Sequence, residues 1–147
     1  GRRTPDANPR LRGALDGLTL ATSAPAIFKA LVEATAFGSR AIDERMLEEG
    51  VPIDNIIAIG GIARKSSFVM RTMADVIGVP IRVLDSDQAC ALGAAMFAAV
   101  AAGVHGSVAD AQRAMCPGFS DEYRPDMERH AIYDYLYARY LKLGALH

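Results

Sequence analysis

Asn55-Ile56-Ile57-Ala58-Ile59-Gly60-Gly61 is the stretch on which the fold turns. An unbroken apolar run closed by glycines predicts a parallel strand near 55–59, covered on both faces. Ser66 and Ser67 offer caps for a following helix that carries Val69, Met70, Met73, Ala74 and Ile77 inward. Gly78 and Pro80 end that helix, and Ile81-Arg82-Val83-Leu84 supplies the next strand, near 81–84. Strand, helix, strand implies a right-handed crossover and parallel pairing, since an antiparallel pair would need a tight turn.

Working outward, a long helix is predicted upstream, starting at the N-cap Ser23 with Pro25 in its first turn. Ile27, Leu31, Thr35, Gly38, Ile42 and Met46 mark its buried stripe, and Gly50 and Pro52 stop it. Downstream, Asp85-Ser86-Asp87 offers caps for a helix from about Gln88 to Ala102, closed by Gly103. Ser107-Val108-Ala109-Asp110 opens a short helix that Pro117-Gly118 terminates. An irregular stretch follows. Ile132, Leu136 and Tyr140, flanked by Tyr133, Tyr137 and Leu141, then give a final amphipathic helix. Residues 1–22 read as irregular, punctuated by Pro5, Pro9, Gly13 and Gly17. The class is α/β, but two strands are too narrow a sheet to stand alone. The missing strands are expected from sequence outside this chain, and a strand edge or an apolar helix face is expected to be exposed or covered by a second copy.

Composition bounds the function. The 147 residues are 51 % hydrophobic and 22 % charged, enough for a core of single-domain size. Sixteen Lys and Arg against 17 Asp and Glu leave a net charge of −1, which argues against a nucleic-acid surface. Arg2, Arg3, Arg10 and Arg12 read as a solvated lead-in. Cys90 and Cys116 make no disulfide framework, and Cys90 reads as a small buried hydrophobe. Without HExxH or CxxC no protein-bound metal is expected, and a cytoplasmic setting fits. Ala89 to Val104 is uncharged but too short to cross a membrane, so it reads as a buried helix. The opening Gly1-Arg2-Arg3-Thr4-Pro5-Asp6 has no initiator Met and no signal-peptide core, which predicts a fragment.

The chemical focus is again Gly60-Gly61, at a strand's carboxyl end, where ligands of open α/β sheets settle. Adjacent glycines allow positive φ and close approach of a flat or anionic ligand; they also serve a plain tight turn. Free amides at the helix start near Ser66 suit phosphate. The stretch is neither a P-loop, since Arg64 replaces the required glycine, nor a GxGxxG. Arg64 and Lys65 reach toward phosphate or ribose, or are solvated loop charges. Asp85 and Asp87 read as caps rather than catalytic groups, and Asp54 and Asp75 as solvated surface. Gly93, among small residues, suits close helix packing, either inside this domain or at a hinge to another. The late tyrosines read as a docking face, not a base-stacking platform.

Ile59-Gly60-Gly61, followed by Ala91-Leu92-Gly93-Ala94-Ala95, resembles the adenosine and second connecting motifs of the actin/Hsp70/sugar-kinase superfamily. Gly13-x-Leu15-x-Gly17-Leu18 and Ile27-x-x-Ala30-Leu31-Val32-Glu33 resemble the C-terminal signature of FGGY carbohydrate kinases. Glu33-Ala34-Thr35-Ala36-Phe37-Gly38-x-Arg40 and Gln88 to Ala95 are most similar to the pentulose kinases among them. The likeness continues through Ala98 to Gly103 and Tyr123-x-Pro125 to the last helix.

The resemblance implies a ribonuclease-H-like (actin-like ATPase) lobe, with residues 1–147 a fragment of the C-terminal nucleotide-binding domain of a kinase for a pentulose. It implies ATP and a small sugar as substrates, Mg²⁺ on the phosphates, and an N-terminal lobe as partner. The nucleotide-binding residues expected are Gly60 and Gly61, which the resemblance places along the adenosine and phosphates, with Ile62, Lys65 and Ser66 after them. The catalytic aspartate, first phosphate loops and sugar pocket fall outside the matched part, so the fragment alone is expected to be inactive. No nucleic-acid or membrane partner is implied, and a homo-oligomer stays open. A kinase for another sugar or polyol, such as xylulose, and a non-catalytic nucleotide-binding or interaction module on the same fold are the alternatives. Two features depart from the family. Ser66-Ser67 stand where many relatives carry asparagine, and Ala26 where Glu would complete a capping box with Ser23.

Overall fold

The computed structural model describes Arg2 and residues 4–146; Gly1, Arg3 and His147 lie outside the described residues, and with them the expectation for Arg3. Ser23 accepts the Ala26 N–H and starts α1 (Ala24–Glu48), with Pro25 in the first turn. After Gly50, β1 (Ile56–Ala58) leads into a one-turn helix α2 (Gly61–Lys65) and then α3 (Ser67–Ile77). β2 (Ile81–Leu84), α4 (Ala89–Ala101), α5 (Val108–Met115), β3 (Phe119–Tyr123) and α6 (Met127–Leu146) complete the chain.

The sheet order is β1-β2-β3. β1 and β2 pair in parallel, Ile56 opposite Ile81 and Ala58 opposite Val83, as the crossover argument requires. β3 corrects the irregular stretch expected there: it runs antiparallel to β2, with Tyr123 opposite Ile81 and Phe119 opposite Leu84. Four of its five residues are exposed, and Ser120-Asp121-Glu122 between its two aromatics shows no apolar alternation to mark a strand.

Layers follow from α3. One side of it, Met70 and Ala74, packs on Ile56, Ala58, Ile81 and Val83 of the sheet. Another side gives Val76 to a second cluster with Ala36 and Phe37 of α1 and Tyr133 and Tyr137 of α6. The order is therefore sheet, α3, then α1 and α6. Covering one face of the sheet leaves the other open, which corrects the expected two-sided burial of β1. Ile57 and Ile59 are 49 % and 55 % exposed.

The same geometry moves the α1 stripe and trims that of α6. On α1 the buried residues are Ala36 and Phe37, while Leu31, Thr35 and Met46 of the expected stripe are exposed. On α6 Tyr133 and Tyr137 are buried, and Leu136 and Tyr140 of the expected stripe pack against them, while Ile132 is exposed. Each helix carries two apolar faces, and periodicity does not say which one meets a neighbour. The expected buried helix at 89–104 is also corrected: α4 packs on α5, and only Met96 of its residues is buried. Cys90 is exposed with it. No described helix is long and apolar enough to cross a membrane.

Asp75 corrects the solvated reading most sharply. Its side chain is buried and accepts the Asp126 N–H at 2.8 Å, and its carbonyl oxygen lies 2.9 Å from His130 Nδ1. The carboxylate thus satisfies a free amide at the start of α6 and lies at that helix's positive end. Asp54 is exposed as expected.

The tyrosine face docks α6 on α1 through hydroxyls as well as rings. Tyr133 donates to Glu33 at 3.1 Å and Tyr137 to Glu44 at 2.8 Å. Burial first, and then the Glu33 carboxylate, push the Tyr133 phenol up from 10.0 to about 12. Burial and Glu44 raise Tyr137 in the same direction. A raised phenol is still protonated in the folded chain when the unfolded one has ionised. Its stabilisation is full below pH 10 and is lost as pH rises toward 12. Alkaline unfolding followed by circular dichroism should therefore steepen across that window. Tyr133→Phe should flatten the slope, and an unchanged slope would show that this phenol carries none of it.

Candidate functional site

At the carboxyl end of the parallel pair, β1 runs through Ile59 into Gly60, whose φ of +90° with ψ of 178° is open to glycine and strained for any other residue. The chain needs that turn because α2 begins at once, with Gly61 as its first residue. A Cβ at either glycine would meet no atom within 4 Å, so the turn is lined by open space. Gly61 and Lys65 are exposed, and Ile62 is 69 % exposed although it is a large aliphatic. Ser66 is half-buried and N-caps α3, its Oγ accepting the Val69 N–H at 3.3 Å. An Oγ used as an acceptor still has its own proton to donate. The structure thus gathers Gly60, Gly61, Ile62, Lys65 and Ser66 along one connection. It corrects one detail: α2, which begins at Gly61 itself, stands between Gly60 and the serine-capped helix.

Arg64 is the residue that sequence reasoning placed least well. As a solvated loop charge it would be unpaired, yet its Nη1 lies 3.1 Å from Asp87 Oδ1 and its Nη2 3.5 Å from Asp85 Oδ1. The two aspartates therefore face Arg64 instead of capping α4. Gln88 occupies that N-cap position without a side-chain bond, and Ser86 Oγ accepts the Gln88 N–H. The only legible signal was that all three residues follow the two parallel strands, whose ends a sheet brings side by side. Among the described residues no cluster of His, Cys, Asp or Glu suits a metal, and Asp85 and Asp87, after the neighbouring strand, are engaged by Arg64. These residues do not fit a protein-held Mg²⁺. Gly93 of α4 is half-buried, and a Cβ there would meet nothing within 4 Å. Its expected role in close packing inside this domain is not realised among the described residues.

Comparison with known proteins identifies the architecture. Residues 1–102 match the C-terminal domain of the FGGY family of carbohydrate kinases. The ribulokinase of Vibrio parahaemolyticus is 51 % identical over 144 residues, 98 % of this chain and 25 % of that protein. The ribulokinase of Bacillus licheniformis is 42 % identical over 147 residues, 97 % of this chain and 27 % of that protein. The crystal structure of xylulose kinase from Rhodospirillum rubrum superposes with a TM-score of 0.81 at 28 % identity, over 95 % of this chain and 28 % of that one. The chain spans about a quarter of the length of these relatives. Its parallel strands, flanking helices and antiparallel edge strand are those of part of an actin-like ATPase, ribonuclease-H-like lobe, as in the sugar kinases it superposes on. The chain belongs to the FGGY family of carbohydrate kinases.

Proposed function

We propose that residues 1–147 are part of the C-terminal, nucleotide-binding domain of a cytoplasmic ATP-dependent kinase. Its reaction would move the ATP γ-phosphate to a pentulose, L-ribulose being the substrate the likeness favours, to give L-ribulose 5-phosphate. The observation that carries this reading is the 51 % identity to a ribulokinase over nearly the whole chain. A xylulose kinase is structurally similar at 28 % identity, a weaker likeness. The two cysteines are unpaired thiols, in keeping with a reducing compartment.

In this reading Gly60 and Gly61 let the nucleotide lie against bare backbone, Ser66 offers its hydroxyl proton, and Lys65 offers positive charge at the same edge. Mg²⁺, held by the phosphates and by groups outside these residues, would offset their charge. The sugar hydroxyl attacks the γ-phosphorus, its proton passes to a base beyond this chain, and the bond to ADP breaks. An N-terminal lobe would close the cleft and supply that base. One wall alone neither excludes water nor holds the γ-phosphate in line, so the isolated chain should be inactive.

Gly61→Val is the clean test. At Gly60 a side chain would strain the backbone, whereas at Gly61 the new methyls enter the open space the nucleotide would occupy. The variant should fold normally and raise the KM for ATP by tenfold or more, on the order of the 1.4 kcal/mol or more that a blocked contact costs. The KM for the sugar should not change. A phosphorylation panel on the intact protein, with ribulose and xylulose as acceptors, supplies the assay. Preference for xylulose would overturn the substrate, and an unchanged ATP KM in Gly61→Val would overturn the site.

A further inference from the structure

Arg64 stands on α2, directly after the Gly60-Gly61 turn, and Asp85 and Asp87 stand on the loop between β2 and α4. The three side chains therefore tie together two connections that leave neighbouring parallel strands at the same end of the sheet. Little else fastens the second connection. α4 takes its packing from α5, its N-cap residue makes no side-chain bond, and the backbone tie is the Asp85 N–H to the carbonyl of Gly118, the residue just before β3. The cluster carries two negative charges against one positive. It has no attraction for phosphate of its own, so Arg64 is poorly suited to hold the nucleotide directly.

We propose that Arg64 is a positioning residue: by holding Asp85 and Asp87 it sets the Gly60-Gly61 turn and the start of α4 in one fixed relation. Seating a nucleotide on the turn and placing α4 then become one event. The inference rests on the reading of that turn as a nucleotide contact. Global stability depends little on the cluster, because Asp85 and Asp87 side chains are 51 % and 79 % exposed. Variants should therefore fold, and their effect should appear locally.

The test uses the intact protein with Arg64→Ala, Arg64→Lys, and the pair Asp85→Asn with Asp87→Asn. Arg64→Ala and the double aspartate variant should each raise the KM for ATP about fivefold, the low end of coupling between linked elements, and leave the sugar KM unchanged. Arg64→Lys should recover part of the loss. Combining Arg64→Ala with the aspartate pair should add nothing further, because one interaction has been removed twice. Amide hydrogen exchange should quicken in residues 60–66 and 86–92 together, with β1 and α3 unaffected. Variants that leave the ATP KM of an active enzyme unchanged would overturn the inference while the proposed function stands. A rise in Arg64→Ala without one in the aspartate pair would also overturn it, making Arg64 a direct ligand. Should the wild type transfer phosphate to no sugar, the proposed function fails, and exchange alone decides: unchanged rates in the two segments would remove the clamp.

Discussion

Phe37→Ala is expected to lower the unfolding free energy by about 3–5 kcal/mol, the usual cost of emptying a buried aromatic site. Phe37 is 6 % exposed, and its ring is where α6 meets α1. Ring centroids lie 6.1 Å away at Tyr133, 5.8 Å at Tyr137 and 5.4 Å at Tyr140, the first edge-on and the others tilted. Truncation removes apolar burial, leaves a void among side chains that are themselves anchored, and ends three aromatic contacts. Relaxation into the void is restricted, because Tyr133 and Tyr137 are held by Glu33 and Glu44 through their hydroxyls. The upper part of the range is therefore the better expectation. Phe37→Leu keeps most of the volume and should cost less than half as much. Urea unfolding of the three proteins tests the order, and hydrogen exchange should show α6 loosening first. Equal stability of Phe37→Ala and the wild type would mean that the α1–α6 seam contributes little to the fold.

Local chemistry was legible where a residue's partner lay within a turn of it. Ser23 and Ser107 cap α1 and α5 as their sequence contexts foretell, and Gly50 and Gly78 stop helices at positive φ. The parallel β1–β2 pair followed from chain connectivity alone. What escaped depends on partners distant in sequence. Asp75 looks like a surface residue until Asp126 brings an unsatisfied amide to it. β3 is a strand because β2 offers it an edge, not because Phe119 to Tyr123 alternate. α2 is a single turn, too short for any periodicity to announce. The candidate site divides the same way. Gly60 and Gly61 announce themselves as a run of glycines after a strand, whereas the pairing of Arg64 with Asp85 and Asp87 exists only once two strand ends lie side by side.

Gly78→Ala should destabilise the chain by about 2–5 kcal/mol, because two independent costs meet at one atom. The first is conformational. Gly78 ends α3 at φ +79°, donating its N–H to the Ala74 carbonyl at 2.8 Å, and a Cβ in the left-handed region costs about 1–2 kcal/mol. The second is steric. That Cβ would lie 2.6 Å from Cε1 and 2.9 Å from Nε2 of His130. The imidazole has little freedom to retreat, since its Nδ1 is 2.9 Å from the Asp75 carbonyl and its backbone belongs to the first turn of α6. Moving the ring loosens the contact by which α6 sits on α3; keeping it forces the backbone apart, at about 1–3 kcal/mol for a crowded interior. Gly50 separates the two costs, because it has nearly the same φ, +81°, and a Cβ there meets nothing within 4 Å. Gly50→Ala should show the conformational cost alone. In a His130→Ala background Gly78→Ala should likewise fall to that smaller value. Thermal and urea unfolding of the set measure the difference. A Gly78→Ala penalty no larger than that of Gly50→Ala would mean that the His130 ring yields freely and that the α3–α6 contact is softer than its geometry implies.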